Sequence, residues 1–117
     1  MTAASALALV LLMGCEPSME GEWVGTMTPP YGEVIAVGYD VEVNENGGLA
    51  IDLSHRYFGT FELWNVQMVG DTLGFGWAPV DVMMECKLAR TGREAFEGYC
   101  EDESGQLGGM TMRRPDA

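Results

Sequence analysis

The sequence predicts an all-β protein, a small antiparallel up-and-down barrel of about eight strands. Three observations point there. Apolar residues recur at every second position in several stretches, the period of a half-buried strand. Sixteen glycines among 117 residues gather with Asn, Asp and Pro between those stretches, where such residues make turns. Helical periodicity is weak throughout.

The strands follow in order. The first is expected over residues 21–28, with Trp23 and Met27 on one face, and Pro29-Pro30-Tyr31-Gly32 stops it. Residues 33–43 alternate most clearly, with Ile35, Val37, Tyr39, Val41 and Val43 sharing one face and Asp40 and Glu42 the other. Asn46-Gly47 supplies the positive φ of a hairpin turn, and Leu49, Ile51 and Leu53 run back. Residues 54–59 are expected to be a loop holding His55, the chain's single histidine, in solvent. Residues 60–69 form the next strand with a bulge. Phe61 and Leu63 are odd but Trp64, Val66 and Met68 are even, so inward parity changes near Trp64. Leu73, Phe75 and Trp77 alternate with Thr72, Gly74 and Gly76. Pro79 opens a strand whose inner face is Val80, Val82, Met84, Cys86 and Leu88. Residues 90–94 turn the chain. Phe96, Gly98 and Cys100 alternate with Glu97, Tyr99 and Glu101, and residues 107–113 close the sheet. Arg114 begins a tail.

Closing such a meander removes its exposed edges. Trp23, Phe61, Trp64, Phe75, Trp77 and Phe96 are expected to fill the interior, with Gly25 and Gly98 making room for the rings. Cys86 and Cys100 are expected to bond across a hairpin. If they face each other, Leu88 faces Gly98 and Arg90 faces Phe96, which keeps the apolar set on one face. Facing residues at a non-hydrogen-bonded position come within the reach of a disulfide. The alternative is two buried free thiols.

Upstream of the strands, residues 6–13 are an eight-residue apolar run, too short to span a bilayer as a helix. Gly14-Cys15 follows. Leu12-Met13-Gly14-Cys15 resembles the lipobox of bacterial lipoproteins, although Met1 to Ser5 carry no Lys or Arg. The resemblance implies a signal peptide over 1–14, cleavage before Cys15, and lipidation of Cys15 (palmitate or a similar acyl chain). Residues 15–20 then form a mobile tether and 21–114 the barrel domain. Glu16, not Asp, follows the Cys. By the same resemblance that favours the outer membrane of a Gram-negative cell, facing the periplasm or the cell surface. Export also places Cys86 and Cys100 where disulfides persist.

Further motifs carry a second resemblance. Trp23-Val24-Gly25-Thr26, Gly70-Asp71-Thr72-Leu73-Gly74-Phe75 and Phe96-Glu97-Gly98 are similar to the W-x-G-T, G-D-T-L-x-F and F-x-G features of small extracytoplasmic β-domains. Those domains occur alone in bacterial lipoproteins or beside serine hydrolases and peptidases. The motifs are turn and packing features, so they bear on fold and not on a site.

The formal charge of −12 argues against nucleic acid as a partner, because phosphate binding needs a basic surface, and it opposes anionic headgroups. No catalytic residues are expected. Ser54 sits beside His55 in sequence, but adjacent side chains seldom hold nucleophile–base geometry, and no G-x-S-x-G elbow exists. Glu94, Glu97, Glu101, Asp102 and Glu103 lack the spacing of a calcium loop. Met83, Met84, Met110 and Met112 offer thioethers to copper but read as core filler. Gly47-Gly48 and Gly108-Gly109 are not phosphate loops. No cofactor is expected. With the lipobox resemblance, this implies a non-catalytic lipoprotein of the cell envelope, held to the membrane by its N-terminal lipid and serving as a binding or structural module, with an envelope protein as a candidate partner. The alternatives are a lipocalin-like carrier of a small apolar ligand and a metal-handling periplasmic protein using Cu or Ca.

Overall fold

The computed structural model describes residues 18–116. They form nine strands: β1 (Gly21–Thr28), β2 (Ile35–Val43), β3 (Leu49–His55), β4 (Gly59–Glu62), β5 (Trp64–Val69), β6 (Thr72–Trp77), β7 (Met84–Gly92), β8 (Ala95–Asp102) and β9 (Leu107–Arg113). All pairings are antiparallel, in the order β4-β3-β2-β1-β9-β8-β7-β6-β5. The last strand pairs with the first, which rolls the meander into a nearly closed barrel, as the alternation predicts. The remaining edges are β4 and β5, consecutive pieces of one stretch. The Leu63 N–H between them donates to the Ile51 carbonyl at 2.9 Å.

That interruption makes nine strands of the expected eight. Leu63 is buried, and Trp64 pairs with Gly76, on the face opposite Phe75 and Trp77. Asn65 then adopts φ 51° and the register shifts before Gln67. Val66 and Met68 pack on the core. The parity change therefore falls at Asn65, one residue later than expected, and half-buried Trp64 covers Gly76 from the outer face, packed against the core, instead of filling the interior. A second correction concerns Pro79. It starts a 3₁₀ turn, Pro79–Asp81, because its fixed φ and missing N–H suit a first helical position. Val82 and Met83 are consequently exposed, and the strand begins at Met84. The Val80 side chain lies outside the described residues.

The interior is packed by side chains from all around the sheet. Leu53, Leu73, Trp77, Leu88, Phe96 and Met112 are each at most 1% exposed. Trp23 meets Phe96 edge to face at 5.7 Å, and Phe61 meets Trp77 at 5.4 Å, a geometry that suits the ring quadrupoles. Cys86 and Cys100 form the expected disulfide with Cα atoms 4.0 Å apart, and Leu88 faces Gly98 and Arg90 faces Phe96. The bond joins residues 14 positions apart, a loop for which chain entropy gives about 3 kcal/mol. Cys100 Sγ lies 3.2 Å from Met110 Sδ. An oxidised sulfur has no proton to give, so this is a packing contact.

The backbone is tightest at two glycines, Gly25 at the closing seam between β1 and β9 and Gly98 in the β7–β8 hairpin. A Cβ on Gly25 would overlap the Thr111 carbonyl, and one on Gly98 would overlap the Lys87 carbonyl. These glycines admit the neighbouring strand, not an aromatic ring as expected. The β1–β9 ladder is interrupted between Val24↔Arg113 and Met27↔Met110, and side chains fill the break. The Thr26 N–H donates to Thr111 Oγ1 at 2.9 Å, and the two threonine hydroxyls lie 2.8 Å apart. The Tyr39 hydroxyl donates to the Thr111 carbonyl at 2.9 Å. Burial pushes the Tyr39 phenol far above its usual range, so it remains a donor.

Tyr39→Phe leaves that part-buried carbonyl without its donor, at a cost of about 1–3 kcal/mol. Urea unfolding is expected to show a lower midpoint with an unchanged slope. An unchanged midpoint would contradict this role of the seam.

Candidate functional site

Alternating strand direction sends the connections to two ends. The start of β1, the β2–β3, β5–β6 and β7–β8 turns and the end of β9 come together at one end, the root end. The far end carries the β1–β2, β3–β4, β6–β7 and β8–β9 connections. Arg90, Arg93, Arg113 and Arg114, four of the chain's six cationic residues, lie at the root end.

Arg114, expected in a tail, is instead the centre of the root end. Its guanidinium donates to the carbonyls of Ser18 and Glu20 at 2.8 Å and of Glu22 at 3.1 Å. It also lies over the Trp23 ring, 4.4 Å from the centroid. Trp23 Nε1 donates to the Met19 carbonyl at 2.8 Å. Gly21 is required here. Its φ is +113°, and a Cβ would sit 3.0 Å from the Arg114 guanidinium. Residues 18–20, expected to be mobile, are therefore bound to the barrel. Trp23 touches Phe96, and Arg90 covers the Phe96 ring at 4.6 Å. The four side chains alternate as cation, ring, ring and cation, each cation–π contact adding about 0.5–2 kcal/mol. Arg90 also donates to the Arg93 carbonyl at 2.9 Å and approaches Asp71 at 3.7 Å. Beside this stack is an open cleft of about 640 Å³. Met19, Leu49 and Met68, which pack on the core, line it with Asp71, Arg90 and Arg93.

At the far end, β3 continues through His55, which is 3% exposed. The expectation of a solvated loop histidine fails because Leu49, Ile51, Leu53 and His55 share the inner parity. His55 Nδ1 accepts the N–H groups of Tyr57 at 3.1 Å and Phe58 at 3.3 Å. The proton of the neutral ring therefore sits on Nε2. That atom and Trp77 Nε1 are buried donors with no acceptor among the described residues. The His55 ring stacks on Phe58 at 4.3 Å, and burial lowers its pKa.

The remaining candidates are dispersed. Cys15 lies outside the described residues. Ser54 bonds Thr60 across the β3–β4 hairpin at 3.3 Å. The Asp102 carboxylate accepts from the Ser104 and Gln106 N–H groups and the Ser104 hydroxyl. These bonds hold a turn and depress its pKa, the Ser104 hydroxyl most. Glu97 and Glu101 are outward strand positions. Met84, Met110 and Met112 are buried while Met83 is 55% exposed. Among the described residues no three His, Cys, Asp or Glu side chains converge as a metal site would need. The residues sequence reasoning missed, Arg114 above all, have no local signal. An arginine after the last strand becomes a clamp only through the closure that brings β9 beside β1.

Fold and sites together define a small extended-meander β-barrel with a packed interior and two chemically distinct ends. No family model matches the chain, and no curated protein matches it. Among solved structures it is similar to a redesigned β-barrel, with TM-score 0.64 and 14% identity over 82% of this chain and 90% of that one. At that identity the likeness concerns the fold alone.

Neutral His55 gives a pH dependence of definite sign. Its folded pKa is below the ordinary 6.5, so the unfolded chain binds the proton first. Stability from this group is complete above about pH 6.5 and is lost as pH falls from there toward the folded pKa. The slope is at most about 1.4 kcal/mol per pH unit. Urea unfolding between about pH 5.5 and 7.5 is expected to show a slope in the wild type that His55→Phe lacks. Equal slopes would contradict the neutral buried imidazole.

Proposed function

We propose that the protein is a lipid-anchored lipoprotein of the cell envelope, a non-catalytic binding or structural module held by acylated Cys15. The observation that supports this best is the bound root of the chain. Ser18, three positions after Cys15, is already fixed to the barrel by Arg114. Three residues reach at most about 10 Å, so an acyl anchor on Cys15 holds the root end against the headgroups. The four arginines there moderate the repulsion that the overall charge of −12 brings to an anionic surface. The opposite end then faces away from the membrane. Its loops expose Tyr31, Val34, Tyr57, Phe58, Val82 and Met83, each between 42% and 80% accessible. Most of the exposed large apolar side chains lie at this end, with Val43 and Val69 at the other, and such a concentration suits a protein partner in the envelope. A carrier role draws less support, because large side chains occupy the interior and the clefts are open to solvent.

Metabolic labelling with a palmitate analogue is expected to tag the wild-type chain in its host and not Cys15→Ala. Equal labelling of both would end the proposal.

A further inference from the structure

The outer face of the barrel carries a groove of about 330 Å³ that none of the foregoing uses. It follows one cross-strand row: Trp64 on β5, Gly76 on β6, Glu85 on β7 and Glu101 on β8. Tyr99 and Lys87, a facing pair one step along, border it with Met83.

Four features set this groove apart. The Asn65 bulge sets Trp64 on the outer face, making it the one indole of three that is not buried. Gly76 lies beneath the indole, where a Cβ would overlap Trp64 Nε1, so the ring stands as a platform. Glu85 and Glu101 face each other directly, a like-charge pairing that weakens a sheet. No hydrogen bond or ion pair within the described residues engages either carboxylate. Met83 and Tyr99 are 55% and 47% exposed. A like-charge pair kept beside an aromatic ring, at a cost to the sheet, is the kind of local conflict that marks a functional site.

We propose that this groove binds a small organic cation, an alkylammonium whose carbon groups lie on Trp64 and Tyr99 and whose charge sits against Glu85 and Glu101. An aromatic face attracts a cation through its quadrupole, and the two carboxylates take charge-assisted hydrogen bonds or direct ion contact. A bare divalent ion fits less well. Calcium needs six to eight oxygens; of the acidic residues lining the groove Asp102 is engaged in its own turn, no three of them converge as a metal site would need among the described residues, and an indole and a thioether are poor neighbours for it. Nucleotides and other anions are repelled by Glu85, Glu101 and Glu103, against which Lys87 is the single cation lining the groove. The volume is at the small end for ligand pockets, which suits an amine of a few carbons and not a peptide.

The test is a titration of the full-length protein in detergent with choline chloride and, separately, putrescine, against sodium chloride at matched ionic strength. The Trp64 indole N–H resonance is followed by NMR. A saturable shift with either amine, absent with sodium chloride, is expected. Glu101→Gln is expected to weaken half-saturation by about tenfold while its melting temperature stays equal or rises, because the facing repulsion is gone. Trp64→Ala is expected to abolish saturable shifts at the neighbouring Tyr99 amide. No saturable shift in the wild type, or unchanged half-saturation in Glu101→Gln, overturns the proposal. A titration with a lysine-rich peptide that saturates where both amines fail would also overturn it, assigning the groove to a protein partner.

Discussion

The pairing of the first strand with the last is the constraint on which the rest depends. Without it the meander is an open sheet with β1 and β9 as bare edges. Closure brings two strands separated by most of the chain so near that Gly25 cannot carry a side chain. The ladder breaks at that point, and Thr26, Thr111 and Tyr39 restore its hydrogen bonds with side chains. A buried carbonyl that lost its ladder partner costs about as much as a missing hydrogen bond. The tyrosine therefore belongs to the backbone's accounting as much as to the core's.

The same closure assembles the root end. Arg114 leaves β9 beside the start of β1, so its guanidinium meets the carbonyls of Ser18, Glu20 and Glu22 and the face of Trp23. Residues 18–23 and Arg114 are thus tied to each other and, through Trp23 and Phe96, to Arg90. The disulfide acts elsewhere, within the β7–β8 hairpin, where it narrows the unfolded ensemble without contributing to closure. Chemistry is consequently unequal along the barrel axis, with arginines at the end where the chain enters and exposed aromatic and aliphatic loops at the other.

Period-two alternation made most of this legible. It placed β1, β2, β6, β8 and β9 within a residue or two and set the Cys86–Cys100 register, because a one-residue slip would turn an apolar face outward. It misread places where one residue changes the period. Asn65 takes a left-handed conformation that asparagine tolerates and no pattern announces, so Trp64 was counted inside. Pro79 reads equally as a strand start or a helical turn. His55 looked polar and therefore solvated, yet two local N–H groups satisfy its Nδ1 and let it continue the inner row. Of the sites, the disulfide rests on local spacing and could be named, while the proposed lipid site at Cys15 lies outside the described residues. The Arg114 clamp and the Trp64 groove are made by strands distant in sequence, which no local pattern contains.

Amide hydrogen exchange tests closure most directly. If the β1–β9 seam holds the barrel, the amides of Trp23, Met27, Met110 and Met112 exchange only with global unfolding, at the same protection as Cys86 and Leu88 in the disulfide-bonded hairpin. If β1 and β9 exchange by local fraying while β6 to β8 remain protected, the barrel does not depend on its seam and the account is wrong.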